Sequence, residues 1–421
     1  MMNRKMKDSR VEWIGKVPEE WDVQRLKNIL IERKENNKPQ KTDNILSLMK
    51  DRGVIPYSEK GDIGNKSKTD LTQYKLAYPG DIILNSMNVI IGSVGLSKYF
   101  GAVSPVYYML RPRLSKDFVE YYNFVFQTEV FQKSLIGYGN GIMEHRMRIP
   151  MNNLNNVSLP VPPSYEQKAI AAFLDEKTSH IDNIIENTKK SIENLKAYKQ
   201  SLITETVTKG LNTNVEMKDS GVEWVGRIPY HWNIDIAKRI FKKEQRDIDY
   251  DDIITCFRDG EVTLRKNRRT DGFTISTKEI GYQGIKKGDL VIHQMDAFAG
   301  AIGVSDSNGK STPVYIVCTS SKDYNNYYYA YLLRSYAKVG YIESMARGIR
   351  ERSTDFRYAT FSITPLLVPP IKEQNDIVSY LDSKIYSTDT IITQKEKLIT
   401  ELETYKKSII YEYATGKKEV K

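Results

Sequence analysis

The chain has 421 residues, 40% hydrophobic and 28% charged, which excludes the disordered and fibrous classes. Lys plus Arg total 63 against 53 Asp plus Glu, and the net charge of +10 leans toward a polyanionic partner. Cys256 and Cys318 are too few for a disulfide framework or a Cys-rich zinc site, and the four histidines are scattered. MMNRKMKDSR lacks the apolar core of a signal peptide, and polar breaks run through 82–97. A cytoplasmic chain with no membrane span is therefore expected.

In chain order, residues 11–161 carry short Val/Ile/Tyr-rich runs punctuated by Gly, Pro and Asn, the pattern of strands and turns. AYPGDIILNS at 77–86 reads as a turn followed by a buried strand, and 117–135 has helical apolar spacing. After PPSYEQ (162–167) there is no Gly or Pro until Gly210, and Ile170, Leu174, Ile181, Ile185, Ile192, Leu195 and Leu202 recur at spacings of three, four and seven. That narrow stripe predicts a long helix seeking a partner helix.

Residues 222–368 return to strands and turns, with IKKGDLVIHQ at 285–294, a strand in STPVYIVCTS at 311–320 and helical spacing over 325–339. A second long helix follows PPIKEQ (369–374) as far as Gly416, with Ile377, Leu381, Ile385, Ile392, Ile399, Leu402 and Ile409 on its stripe. Thr188 and Lys395 interrupt the two seams, a device that weakens a helix pair but fixes its register.

The chain is written twice. MKDSRVEWIGKVPEEW (6–21) and MKDSGVEWVGRIPYHW (217–232) agree at ten of sixteen positions and hold all four tryptophans. Tyr74, Gly80, Asp81, Met87, Gly92, Gly95 and Pro105-Val106-Tyr107 find matches at Tyr282, Gly288, Asp289, Met295, Gly300, Gly303 and Pro313-Val314-Tyr315. Pro162-Pro163, Glu166-Gln167 and Leu174-Asp175 match Pro369-Pro370, Glu373-Gln374 and Leu381-Asp382. Two copies of one architecture are expected, each a mixed α/β part followed by a helix.

Catalytic signatures are missing. GVSDSNGKST at 303–312 has the wrong glycine spacing for a phosphate loop and lies between two expected strands. No HExxH, GxSxG or Asn/Asp-Pro-Pro-aromatic motif occurs; the Pro-Pro pairs follow Val161 and Val368. What stands out instead is a set of cationic, amide-rich loops. RDGEVTLRKNRR (258–269) offers Arg258, Lys266, Arg268 and Arg269, and its counterpart at 50–68 offers Lys50 and Arg52. A second pair of loops, 137–148 and 346–357, offers Tyr138, Asn140 and Arg146 in one copy and Arg347 and Arg350 in the other. Arg and Asn suit base edges and Lys suits phosphates. The bland alternative is that these are solvated basic loops.

The doubled MKDS-x-VEW-x-G-x-x-P-x-x-W, the mid-domain Gly-Asp and LPVPPSYEQ or LLVPPIKEQ leading into a long helix resemble the specificity subunit of type I restriction-modification systems across essentially the whole chain. The resemblance implies an α+β fold: two α/β target recognition domains related by an internal repeat, separated by two long helices forming an antiparallel coiled coil. The first recognition domain would span 1–161, the central helix 162–211, the second recognition domain 212–368 and the C-terminal helix 369–421. It further implies a bipartite, asymmetric site in double-stranded DNA, two methyltransferase subunits as partners, and restriction subunits in the full complex. S-adenosylmethionine, ATP and Mg would belong to those partners, with no cofactor and no catalysis in this chain. Two rivals remain open at this stage: a coiled-coil protein–protein scaffold without sequence-specific DNA binding, and an enzyme acting alone on nucleic acid.

Overall fold

The computed structural model describes residues 4–50, 52–62, 66–115, 118–139, 148–268, 280–345 and 356–420. The chain is mixed helix and strand, and its two longest elements are helices, Ser164–Lys209 and Ile371–Ala414. It divides into unit 1, Met1–Thr188 with Glu396–Lys421, and unit 2, Lys189–Lys395. Each unit therefore contains part of both long helices.

In unit 1 the strands used below are β1 (Asp22–Arg25), β2 (Leu30–Arg33), β3 (Leu46–Met49), β4 (Gly53–Pro56), β5 (Ile82–Asn85), β6 (Val94–Leu96), β7 (Tyr107–Pro112) and β8 (Ser158–Val161), beside two shorter pairs, Met6–Asp8 with Lys16–Pro18 and Lys75–Ala77 with Gly101–Val103. An antiparallel four-stranded sheet runs β2-β7-β5-β6, β3 and β4 form a hairpin, and β8 pairs with β1. Ile82, Ile83 and Leu84 are fully buried, as expected for a strand covered on both faces. The one helix expected over 117–135 is two, α1 (Val119–Gln127) and α2 (Glu129–Ser134). Thr128 separates them: its backbone is extended and its hydroxyl accepts from the Phe131 amide, so a local cap wins over helix continuation.

In unit 2 the strands used below are β9 (Asn233–Ile236), β10 (Phe241–Lys243), β11 (Ile254–Cys256), β12 (Val262–Leu264), β13 (Leu290–His293), β14 (Ile302–Val304), β15 (Tyr315–Ser320) and β16 (Pro365–Val368), beside the pairs Met217–Asp219 with Arg227–Pro229 and Gln283–Ile285 with Gly309–Ser311. The four-stranded sheet runs β10-β15-β13-β14, β11 and β12 form a hairpin, and β9 pairs with β16. Helix α3 (Asn326–Lys338) starts at Asn325, whose side chain accepts from the Tyr327 and Tyr328 amides.

The segments 164–188 and 396–414 of the long helices share unit 1's core, where Ile170, Leu174, Ile181 and Ile185 join Trp21, Tyr121, Ile409, Ile410 and Ala414. In unit 2, Ile203 and Val207 join Trp232, Ile377, Val378 and Leu381 in the same way. Inside unit 1 the Lys406 ammonium meets Asp182 at 2.6 Å, and inside unit 2 Lys199 meets Asp389. Thr188 satisfies its hydroxyl on the Ile184 carbonyl at 2.7 Å, so this seam polar group is not left unpaired.

The duplicated motifs hold the frame together. Trp21 is fully buried, and its indole N–H donates to Glu166 at 2.8 Å at the start of the first long helix. Arg4 closes on the same carboxylate at 2.6 Å, and that hydrogen bond pushes the guanidinium pKa up. In unit 2, Trp232 donates to Glu373 at 2.7 Å, with His231 at 2.6 Å from the other oxygen. A carboxylate in the first helical turn also faces the positive end of the helix dipole.

The Gly-Asp pairs are structural too. The Asp81 carboxylate takes Arg33 Nε at 2.8 Å and the Tyr78 amide at 3.0 Å. Asp289 takes Arg246 Nη2 at 3.1 Å and the Lys286 amide at 2.7 Å.

Two stability predictions follow from this geometry. Glu166→Ala strands a buried indole N–H, leaves the Arg4 guanidinium to Glu20 alone and should cost roughly 3 kcal/mol. Glu373→Ala should cost less, since its carboxylate is 37% exposed; a larger loss for Glu373→Ala in denaturant unfolding would contradict this assignment. Asp289→Asn should also cost about 3 kcal/mol, because it leaves a charge without its buried partner. Exposed Asp306→Asn serves as the near-neutral control in the same titration.

Candidate nucleic-acid interface

The described cations of the first pair of loops lie on or beside the small hairpins. In unit 2 the β11–β12 turn carries Arg258, whose Nη2 lies 2.7 Å from Asp296 Oδ1. Arg268 reaches back to Asp259 and Glu261, both at 2.7 Å, and its guanidinium lies 4.2 Å from the Phe257 ring centre. The hydrogen bond it donates to Asp259 raises the Arg268 pKa. Lys266 pairs with Asp252 at 2.8 Å. In unit 1, Arg52 donates to the Glu59 carbonyl at 2.9 Å and lies 3.5 Å from its carboxylate.

These arginines and lysines are thus partnered, and the local positive count in the sequence overstates their free charge. The pairs are mostly solvent-exposed, however, and such pairs contribute about 0–1 kcal/mol each. A phosphate is an equally suitable acceptor for the same guanidinium or ammonium.

A second segment adjoins each hairpin. It leaves β5 as Asn85-Ser86-Met87-Asn88 and makes a 3-10 turn over Val89–Ile91. In unit 2 it leaves β13 as His293-Gln294-Met295-Asp296 and makes the same turn over Ala297–Ala299. Each turn closes on a left-handed glycine, Gly92 at φ 91° and Gly300 at φ 93°, a conformation that glycine adopts without strain. A β-carbon on Gly300 would lie 2.8 Å from the Arg258 carbonyl oxygen, so the hairpin turn rests directly on this segment. In unit 1 the Lys50 side chain passes 3.7 Å from the corresponding point on Gly92.

The second pair of loops returns to the same place. The Ile149 amide donates to the Ser86 carbonyl at 2.9 Å, and the Phe356 amide to the Gln294 carbonyl at 3.1 Å. Ile149 and Phe356 are fully buried and anchor these returns. Tyr138, at the other end of its loop, packs partly into the core, and its carbonyl accepts from Asn153 at 2.9 Å. Asn140, Arg146, Arg269, Arg347 and Arg350 lie outside the described residues.

In each unit the hairpin, the tight turn and the described end of the second loop thus meet. Sequence reasoning singled out two of them and passed over the third, although Met87 and Met295 stood among the matched positions of the repeat. It also passed over Arg334 on α3. A β-carbon on Gly260 would lie 2.5 Å from its guanidinium, and burial lowers its pKa beneath the same hairpin turn.

Little in the described residues suits covalent chemistry. Cys256 and Cys318 are both free and buried, and burial pushes the Cys318 thiol up to about 12. Lys310 of the rejected phosphate-loop segment is itself buried, with Asp251 at 3.4 Å. Among the described residues no group of three or more His, Cys, Asp or Glu could hold a metal ion, and no helix is long and apolar enough to cross a membrane.

Residues 18–196 match the family described as Type I restriction modification DNA specificity domain. The putative type I restriction enzyme MjaX specificity subunit of Methanocaldococcus jannaschii is 29% identical over 236 residues, 52% of each chain. The EcoBI specificity subunit of Escherichia coli is 24% identical over 312 residues, 66% of this chain and 63% of that one. This chain spans about half the length of the M. jannaschii relatives it matches.

Among solved structures, a chain from a study of complex assembly and conformational transition of the type I R-M system aligns with a TM-score of 0.68 at 11% identity, covering 94% of this chain and 98% of that one. The HsdS subunit of Thermoanaerobacter tengcongensis aligns at 0.57 with 14% identity, covering 95% and 98%. Those two likenesses are of fold. The matched domain over residues 18–196 and the sequence relatives make the chain similar to specificity subunits of type I restriction-modification systems.

Proposed function

We propose that this chain is the DNA-recognition subunit of a type I restriction-modification complex and performs no catalysis of its own. The observation that carries this reading is the meeting, in each unit, of a cation-bearing hairpin, a tight turn and the described end of a second loop. Specificity subunits of this family recognise DNA while other subunits carry the catalysis. In our reading the target recognition domains are 1–161 and 212–368, two forms of one repeated module, with the long helices 162–211 and 369–421 as connectors.

Because the loops of the two modules differ in sequence, the site is bipartite and asymmetric. Two methyltransferase subunits, and restriction subunits in the full complex, are the partners. S-adenosylmethionine, ATP and Mg act in them. The paired stripes and the Lys–Asp pairs at 406 and 182 and at 199 and 389 favour an antiparallel coiled coil between the helices. Affinity comes largely from phosphate contacts and falls steeply with added salt.

Binding of the full chain to duplex DNA, titrated against ionic strength, tests the reading; an affinity insensitive to salt would favour a protein–protein scaffold instead. Replacing Arg268 and Arg269 together by alanine should weaken recognition of one half-site several-fold and leave the sequence of the other unchanged. Mapping methylated adenines in cells carrying the complete system reads this out, and an unaltered map removes that loop from the interface. In the same assay, deleting four residues within 186–196 should change the unread spacer by about two base pairs, at roughly 1.5 Å per helical residue against 3.4 Å per base pair. A map with the original spacer contradicts the use of helix length as a ruler.

A further inference from the structure

Unit 1 holds the Glu166 carboxylate with a guanidinium. Arg4 Nη1 donates to Oε1 at 2.6 Å and Nη2 to Oε2 at 2.8 Å, while its Nε donates to Glu20 at 2.8 Å. Unit 2 repeats the backbone around this clasp with different side chains. The Glu19 amide donates to the Lys5 carbonyl at 3.0 Å, and the Tyr230 amide to the Glu216 carbonyl at 2.8 Å. That shared register sets Val215 where unit 1 has Arg4, and His231 where it has Glu20. On the helix, the matched Pro-Pro and Glu-Gln pairs set Asp376 where unit 1 has Ala169. Unit 2 therefore lacks the arginine and adds a carboxylate three residues from Glu373, on the same helical face.

Val215, His231, Glu373 and Asp376 line one cavity of about 240 Å³, with the buried Ile377 beside them. Trp232 donates to Glu373 as Trp21 does to Glu166, and His231 stands 2.6 Å from the other oxygen. Each oxygen of an ionised carboxylate accepts about two hydrogen bonds, so Glu373 keeps acceptor capacity for a planar fork of donors. Lys209 also lines the cavity, but its ammonium is exposed and lies 3.6 Å from Glu205 on its own helix. Two carboxylates thus face the cavity, and unit 1 shows that a guanidinium fits the first of them.

The lining favours a side chain delivered by a larger body. Glu373 and His231 are 37% and 44% exposed, whereas a free small molecule needs roughly 70–90% of its surface covered. A docked protein supplies the missing cover with its own surface.

We propose that this cavity of unit 2 binds an arginine side chain of a partner protein, whose guanidinium takes at Glu373 the place that Arg4 takes at Glu166. The site stands apart from the DNA-recognition reading; only the choice of partner, another subunit of the complex, rests on it.

The test uses the full-length chain and Nα-acetylarginine amide, with Nα-acetyllysine amide for comparison, titrated by isothermal calorimetry. The arginine analogue should bind at one site in the millimolar range, several-fold more tightly than the lysine analogue. Asp376→Asn should weaken it about threefold. Val215→Arg, which supplies the arginine from within, should abolish it and leave the thermal midpoint at or above wild type. Assembly with the methyltransferase and restriction subunits, followed by sedimentation velocity, is the second measurement. Both variants should weaken it, Val215→Arg by about tenfold.

No binding of the arginine analogue by the folded wild-type chain, or equal binding by Val215→Arg, overturns the site. Analogue binding with assembly unaltered in both variants overturns the partner as its source. A wild-type chain that assembles with no such subunit overturns the reading of the complex, while the calorimetry still decides the site.

Discussion

The bond between a buried tryptophan and a carboxylate at the first turn of a long helix is the constraint on which each unit depends. In unit 1, Glu166 receives the Trp21 indole at 2.8 Å. The other side of that ring bears on the end of the second long helix, where a β-carbon on Gly416 would lie 3.0 Å from it. Tyr121 ties the same helix end through a 2.8 Å bond to the Ala414 carbonyl. In unit 2, Trp232 stands between Glu373 and Gly210, and Tyr328 reaches the Val207 carbonyl at 2.9 Å. Most of a helix's stability in a protein comes from the packing of its apolar face and not from propensity. Here each unit holds one helix by its start and the other by its end, so the sheet and its loops sit on a firm base.

How much of this was legible in the sequence depends on the range of the interaction. The long helices could be read almost to the residue, because apolar spacing and Pro-Pro starts are local signals, and Ser164–Lys209 and Ile371–Ala414 fall within the expected limits. The buried strands at Ile82–Asn85 and Leu290–His293 were equally plain. The break at Thr128 was not, because apolar periodicity continues through it and only the capping geometry shows that the backbone turns there.

The interface was half legible. Composition pointed to the cationic hairpins but could not show that Arg268 is held by Asp259 and Glu261, or that Arg258 is held by Asp296, some forty residues along the chain. Nor could it show that the loop ending at Phe356 returns to Gln294, since that is a backbone contact between segments far apart in sequence. The matched Gly300 was visible as a repeat position, but its reason, the Arg258 carbonyl pressed against it, is tertiary.

The ion pairs bear directly on how such a surface would work. A free arginine on a flexible loop loses side-chain entropy when it orders on DNA, roughly 2 kcal/mol for a long side chain. Arg268 is already held by two carboxylates and stacked over Phe257, so much of that ordering precedes binding. What remains is an exchange of acceptors, carboxylate for phosphate or base edge, and the released acidic groups then face a polyanion. That repulsion disfavours any duplex which offers the arginine no better acceptor, so the paired acids sharpen discrimination while lowering raw affinity. The two units differ most in these charged tips and least in the glycine and methionine of the turn beneath them.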